Sequence, residues 1–417
     1  MLSREDNELL TRVGPETPMG DLLRRFWFPI LLAEELPVPD CDPARVRVLG
    51  EHFAAFRDTA GRLGLLDARC PHRGADLSVG ISEEGGLRCP RCYWKFDVDG
   101  NILDLPMEPE NSPLWTEVKA TAFKVQEFGG LIWAYLGPQD DIPDVPEFEW
   151  TRVDANQRHV SRFLVECNYM QGVEGGLDAS RVEALEKAEA FDRLDPMADE
   201  PAHSVQAKST DYGLLIGTAL DADGKVNPDL QVTHWLMPFY TTAPADKAGV
   251  LDGVAWVPID DESTMAFAVT YNPTRPLSKK MLNDIRLGKR VHPQLSEGTV
   301  RRSRNKENGY QERKGGGGSF VAFADRFKNS FEMAIACQES MGVIVDRSQE
   351  MLSDNDAAVE GARKILMTAA VDLMEGTIPV IVHKGEAYRV RSYTGELRRG
   401  VAFDEDDDVQ RGVVAQV

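Results

Sequence analysis

The stretch from residue 70 to residue 94 constrains this chain more than any other part of its sequence. Cys70 and His72 stand with one residue between them, Cys89 and Cys92 with two, and 16 residues separate the two pairs. Thiolates and imidazoles in paired spacing are typical of a zinc or iron–sulfur site. A proline adjoins a ligand in each pair and keeps both segments out of regular helix. The spacing predicts two loops that hold one metal centre through these four side chains.

The alternative interpretation is three structural thiols beside a surface histidine. Metal binding is favoured, because four ligand-type residues rarely fall into paired spacing by coincidence. The remaining cysteines, at positions 41, 167 and 337, stand alone in the sequence. Six cysteines in 417 residues are too few for a disulfide scaffold.

Length and composition limit the class of protein. A chain of 417 residues predicts two domains. The net charge of -21 argues against a nucleic-acid surface and against a polybasic membrane surface. There is no run of 18 apolar residues and no signal-peptide pattern at the N-terminus, so we expect a cytoplasmic protein without a membrane span.

Hydrophobic periodicity predicts an α+β fold in three segments. Residues 1–40 carry two short amphipathic helices, which we expect to pack on the main domain. Residues 41–142 alternate with period two and predict a small antiparallel β domain that presents the metal loops. Residues 143–417 predict an antiparallel sheet followed by two helices, around 331–351 and 357–374, that enclose a cavity.

The pattern Cys-x-His, an interval, then Cys-Pro-x-x-x-Trp resembles the Rieske [2Fe-2S] motif, in which two cysteines hold one iron and two histidines the other. The chain departs from that motif twice: Cys92 stands where the motif has histidine, and Tyr93 stands where it has glycine. The resemblance implies a Rieske-like domain whose centre is a Cys3His set. An added thiolate is expected to lower the potential of a cluster there.

The N-terminal run with Gly14-Pro15 and Thr17-Pro18 resembles phthalate 4,5-dioxygenase-type subunits of the Rieske non-haem iron aromatic-ring oxygenase family. Residues 167–180 resemble the iron-site helix of the same family. The resemblance implies a helix-grip catalytic domain, and it makes Asp178 the retained residue that bridges two metal centres across a subunit interface.

On that helix, polar residues recur every three or four positions from Asn168 through Gln171 and Glu174 to Asp178 and Arg181. The stripe is either a solvated face or the remains of a site. The glycine pair within it, which weakens a helix, favours the site.

The resemblance also implies that the mononuclear iron site is degenerate. Arg181 and Glu186 stand at the positions of the two histidine ligands, and Ala334 stands at that of the aspartate. An arginine has no lone pair to offer and an alanine has no donor, so a facial triad is not expected. We expect Arg181 to compensate the charge of Asp178 in a salt-bridge cluster.

These departures predict a catalytically silent subunit that scaffolds or regulates an active paralogous oxygenase subunit in a hetero-oligomer, within the trimer-based ring of the family. Zinc is preferred over [2Fe-2S] at the Cys3His set, because a chain without mononuclear iron has no use for a redox centre. The alternatives are an active ring-hydroxylating oxygenase with an unconventional site and a non-catalytic protein that binds an aromatic ligand. The glycine run at 315–318 is expected to be a natural loop.

Overall fold

The computed structural model describes residues 1–178, 203–220, 228–246, 248–311 and 327–415. They form two compact units. One comprises Met1–Arg12, Thr17–Met19 and Asp144–Val417, and the other comprises Val13–Glu16 and Gly20–Pro143. The predicted boundaries at residues 40 and 142 stay predictions.

The smaller unit consists of antiparallel strands in two sheets. Its strands are β1 Phe28–Leu32, β2 Ala44–Val48, β3 Glu51–Arg57, β4 Leu63–Asp67, β5 Ile81–Glu83, β6 Gly86–Arg88, β7 Lys95–Phe96, β8 Ile102–Asp104, β9 Ala122–Phe128 and β10 Leu131–Tyr135. A six-stranded sheet has the order β1-β10-β9-β4-β3-β2, and a four-stranded sheet has the order β5-β6-β7-β8.

Short turns connect β2 to β3, β5 to β6, β7 to β8 and β9 to β10, as the sequence predicts. Gly100, in the turn between β7 and β8, has φ +80°, and a Cβ there would lie 2.0 Å from the carbonyl oxygen of Ala120. Only glycine satisfies both constraints without strain. The core beneath the metal loops includes Phe56, Leu87 and Phe96, all fully buried. The loops are therefore supported by a rigid apolar base.

The larger unit is built on one antiparallel sheet of eight strands. They are β11 Arg158–Val165, β12 His203–Ser209, β13 Gly213–Leu220, β14 Asp229–Leu236, β15 Tyr240–Thr242, β16 Leu251–Pro258, β17 Thr264–Tyr271 and β18 Tyr393–Glu396. Their order is β11-β17-β16-β15-β14-β13-β12, and β18 pairs with β14.

Nine α-helices lie within the described ranges of the chain. They are α1 Arg4–Thr11, α2 Pro18–Arg24, α3 Leu114–Glu117, α4 Glu149–Arg152, α5 Tyr169–Leu177, α6 Lys279–Arg286, α7 Ser330–Ser340, α8 Ala357–Met374 and α9 Asp407–Gly412. Helix α5 packs on β15, β16 and α7, and α8 packs on β12 and β13.

The α+β prediction is confirmed, with an all-β N-terminal unit and a larger unit of sheet and helices. The predicted helix 331–351 is too long, because α7 ends at Ser340 and Gly342 follows in the left-handed region with φ +100°. Within the described residues, none of the helices combines the length and the hydrophobicity that a membrane crossing requires.

Candidate functional site

Two loops of the smaller unit carry the predicted metal ligands, one after β4 and one between β6 and β7. In the first, the backbone N–H of Cys70 donates to Ala75 at 2.9 Å and the N–H of Gly74 donates to Cys70 at 2.8 Å. In the second, the N–H of Cys89 donates to Trp94 at 2.8 Å. These bonds close each loop on itself, so the ligand positions are fixed by the backbone.

The structure brings three of the four predicted ligands together. The sulfur atoms of Cys70, Cys89 and Cys92 all lie within 4.8 Å of one another, and those of Cys70 and Cys92 are 3.6 Å apart. The fourth, His72, lies exposed at the rim, where its ring stacks on Trp94 with 4.7 Å between centroids. The arrangement offers three soft donors at one point and an imidazole beside them.

The three thiols differ in acidity. Burial raises the pKa of the Cys70 thiol, and burial likewise raises the pKa of Cys92. Burial also opposes ionisation of Cys89, but the backbone N–H groups of Cys92 and Arg91 point at its sulfur, and its pKa is lowered. Cys89 is therefore the thiol that ionises first, as a metal ligand must.

Tyr93 lies in the left-handed region with φ +61°. A residue with a side chain adopts this conformation at a cost, and the motif that the loop resembles has glycine here. Arg88 stabilises the turn by donating from Nη1 to the carbonyl oxygen of Tyr93 at 2.6 Å. The side chain of Tyr93 is 56% exposed, so it contributes to the surface around the thiols.

Helix α5 is buried in the larger unit. Asn168 caps its first turn, and its side-chain amide donates to the carbonyl oxygens of Thr11 at 3.0 Å and Asp261 at 2.7 Å. Gln171 donates from Nε2 to the carbonyl oxygens of Gln338 and Gly342, both at 2.9 Å. The first residues of the predicted polar stripe are thus interior anchors, and the solvated-face interpretation is wrong for them.

Glu174 lies at the centre of a buried ion cluster. Its carboxylate accepts from Nε and Nη2 of Arg347 at 2.7 and 2.8 Å, and from Nε of Arg363 at 2.6 Å. Arg363 also pairs with Glu350, and Arg347 donates to Asn7 at 2.9 Å. Arg347 and Arg363 therefore compensate the charge of Glu174. Sequence reasoning missed both arginines, which lie 173 and 189 positions away from Glu174.

The glycine pair that interrupts the stripe allows close packing. A Cβ on Gly175 would lie 1.5 Å from Nε2 of Gln338, and a Cβ on Gly176 would lie 2.6 Å from Oγ1 of Thr241. Each glycine thus gives space to a side chain from a neighbouring element, α7 in the first case and β15 in the second.

A cavity of about 490 Å³ lies between the sheet, the C-terminal end of α5 and helix α7. Asp178, the residue that caps α5, lines it together with Trp256 and Phe331. Ala334 is buried in α7 at 3% exposure and supplies no donor atom. Arg181 and Glu186 lie outside the described residues, as does the glycine run at 315–318. Hence the expected ion pair between Arg181 and Asp178 stays a prediction.

The buried histidines of the larger unit have structural partners. His234 bonds through Nδ1 to the hydroxyl of Tyr212 at 2.9 Å and through Nε2 to the carbonyl oxygen of Arg391 at 2.8 Å. Burial lowers the pKa of His234 to about 4, so the ring is neutral at pH 7. In the part of the chain that the structure describes, the three thiols of Cys70, Cys89 and Cys92 are the one cluster of three or more potential metal ligands.

Comparison with known proteins gives matches over both units. A model of the Rieske [2Fe-2S] domain matches residues 26–127, and a model described as LigXa C-terminal domain like matches residues 134–407. The phthalate 4,5-dioxygenase oxygenase subunit of Pseudomonas putida is 33% identical over 393 residues, which cover 90% of this chain and 88% of the relative. The 3-chlorobenzoate-3,4-dioxygenase oxygenase subunit of Comamonas testosteroni is 31% identical over 409 residues, 93% of each chain.

A solved structure shares the fold at lower identity. The oxygenase of carbazole 1,9a-dioxygenase, in complex with its ferredoxin, has a TM-score of 0.56 at 18% identity and covers 86% of this chain and 94% of its own.

These matches correct the functional prediction. The silent scaffold for a paralogous subunit is wrong, because the relatives that match about nine-tenths of the chain are themselves oxygenase subunits. The chain also has clustered thiols in its Rieske domain and a cavity beside Asp178. The preference for zinc likewise has no support, since the matched domain is of the [2Fe-2S] type.

Proposed function

Because the chain belongs to the Rieske non-haem iron oxygenase α-subunit family, we propose that it is the oxygenase subunit of a ring-hydroxylating system with an unconventional active site. The observation that carries the proposal is the match at 33% identity over 90% of the chain. The cavity of the larger unit supports it, since about 490 Å³ suits a single aromatic ring with substituents.

We propose that Cys70, His72, Cys89 and Cys92 hold a [2Fe-2S] cluster. The donor set fits such a group, because three thiols within 4.8 Å and one adjacent imidazole supply two ligands for each of two irons. When bound, the cluster carries single electrons. The chain's own contribution is a buried base that fixes the thiols and an exposed rim at His72 through which a redox partner approaches.

The proposed electron donor is a ferredoxin or a reductase. The rim around the thiols carries the exposed residues Arg73, Arg91 and Tyr93, so it is basic and aromatic on a protein that is acidic as a whole. Such a patch favours an acidic partner by complementary charge. The trimer-based ring expected from the resemblance stays part of this proposal.

A mononuclear iron held by a facial triad does not fit the described residues. Ala334 has no donor atom, and no ligand group forms beside Asp178 among the side chains that the structure places. Position 334 therefore supplies no metal ligand in the proposed active site. The described residues would bind and enclose the aromatic ring of the substrate, with Trp256 and Phe331 in the cavity wall and Asp178 at the end of α5.

Two measurements test the proposal. Metal analysis and a visible spectrum should give a brown protein with at least two irons per chain, whereas a colourless protein with zinc would contradict the cluster. The chain supplied with a ferredoxin, its reductase and NADH should then convert an aromatic compound to a hydroxylated product that contains oxygen from ¹⁸O₂. Cys89→Ser is the control that should abolish turnover. A reduced cluster without oxygen uptake or product over an aromatic panel would refute the oxygenase.

A second candidate function is the binding of an aromatic ligand without chemistry. Ala334 favours it, because this predicted iron-ligand position on α7 has no donor atom, and a cavity lies beside the same helix. Saturable binding of an aromatic compound, together with no oxygen-dependent product under the conditions above, would select this candidate over the oxygenase.

A further inference from the structure

The charged groups of the cavity are the first constraint on what it binds. In the described lining, Asp178, Asp246 and Asp252 are acidic, and Lys289 and Arg290 are basic. Arg290 donates to Asp246 at 3.0 Å and to Asp252 at 2.6 Å, so its guanidinium is shared between two carboxylates of the same wall.

Lys289 is engaged as well, because its Nζ lies 3.0 Å from Asp284. Both basic side chains of the described lining therefore already have carboxylate partners. An aromatic carboxylate entering this cavity would lose its hydration and meet no uncommitted cation among the described lining residues, which is unfavourable.

Uncharged polar groups form the second constraint. Thr218 on β13 is directly opposite Gln231 on β14, and Thr233 lies two residues further along the same face of β14. All three line the cavity. A glutamine amide both donates and accepts hydrogen bonds, and so does a threonine hydroxyl. This polar row can therefore satisfy a neutral group that has both a donor and an acceptor.

The remaining wall is apolar and aromatic. Trp256 and Phe331 lie 6.1 Å apart between ring centroids, and Leu177 and Ile335 complete this side. The indole N–H of Trp256 donates to Oγ1 of Thr241 at 2.9 Å, which fixes the ring plane. The cavity thus combines an apolar and aromatic part of its wall with a neutral polar row from β13 and β14.

We infer that this cavity selects an uncharged aromatic compound with a hydroxyl or amide group at its edge, in preference to an aromatic carboxylate, and that Gln231 orients that group. The inference deepens the proposed function and rests on it, since the cavity is taken as the substrate site. Gln231 acts here as a specificity-determining residue.

The test compares two probes of nearly equal shape, benzamide and benzoate, by isothermal titration calorimetry on the full chain. Benzamide should bind at least tenfold more tightly than benzoate, and phthalate should bind more weakly than both. Gln231→Leu should weaken benzamide about tenfold, whereas the exposed Gln349→Leu should leave it unchanged. Tighter binding of benzoate or phthalate, or no binding of benzamide, would overturn the inference.

A variant that gains affinity provides a second test, because a gain of binding cannot result from a folding defect. Asp246→Asn should remove one of the two carboxylate charges that Arg290 is shared between and improve benzoate binding several-fold, and no improvement would count against the role given to the Arg290 pairs. Failure of the proposed function looks different, because an absence of oxygen-dependent turnover leaves the binding preference intact. Oxidation of benzoate in preference to benzamide would refute the inference and keep the oxygenase.

Discussion

The buried carboxylate of Glu174 gives the most direct test of how the larger unit is held together. We consider Glu174→Gln, which keeps the shape of the side chain and removes its charge. In the protein, the carboxylate accepts three hydrogen bonds from two guanidinium groups at 2.6 to 2.8 Å. After the substitution Arg363 keeps Glu350, whereas Arg347 keeps a neutral partner, the side-chain oxygen of Asn7.

The decrease in the free energy of unfolding follows from the loss of the buried ion pair between Glu174 and Arg347. Arg347 is 0% exposed, so its charge would remain in the interior without a carboxylate. Breaking a buried ion pair by removing one partner costs about 3–5 kcal/mol. For a unit of this size each kcal/mol lowers Tm by about 2–4 °C, so we expect a decrease of roughly 6–20 °C.

Circular dichroism at 222 nm during heating measures the shift, with a tryptophan fluorescence melt of the whole chain as a second probe. The matched control is Asp408→Asn, which removes the carboxylate of an exposed pair with Arg411 and should produce no measurable shift. If Glu174→Gln unfolds at the temperature of the unmodified protein, the two arginines do not depend on Glu174 and the reasoning fails.

Three further predictions concern the metal loops and the helix packing. Cys92→His should raise the reduction potential of the cluster, because it replaces a thiolate by a neutral imidazole, and a spectroelectrochemical titration that finds an unchanged or lower value would contradict this. Removal of iron with a chelator should lower the melting temperature of the smaller unit, since metal binding is coupled to folding, and identical melting curves would argue against a bound metal. Gly175→Ala should destabilise the larger unit by about 1–3 kcal/mol in denaturant unfolding, because its Cβ would overlap Gln338, whereas Gly361→Ala meets only a side-chain methyl at 3.2 Å and should cost less.

Local patterns explain why so much of the architecture could be predicted. The alternation of Val46, Arg47 and Val48 specifies a strand with one buried face, and Asn168 is a residue type that caps helices. The two ligand pairs lie on tight loops, as the close spacing within each pair indicates: Cys70 with His72, and Cys89 with Cys92. Each of these features depends on residues within a few positions of one another.

The resemblance to a known family supplied information that hydrophobic periodicity does not contain. It gave the family and the identity of the α5 segment, and the whole-chain match bears out both the family and the two-domain fold. It also led to a wrong conclusion when the replaced ligand positions Arg181, Glu186 and Ala334 were taken as loss of function. Replaced ligand positions describe single points of a site, whereas the relatives that match about nine-tenths of the chain are oxygenase subunits.

The sequence by itself determined the strands, the loops with their thiols and the capped start of α5, because each is a short-range consequence of residue type and spacing. Only the tertiary structure decided that Glu174 meets Arg347 and Arg363, that His72 lies at the rim beside three clustered sulfurs, and that Arg290 is held by two carboxylates. These contacts join residues far apart in the chain. Packing brings their charges together, and no local pattern records which of the chain's many arginines will be the partner of a given carboxylate.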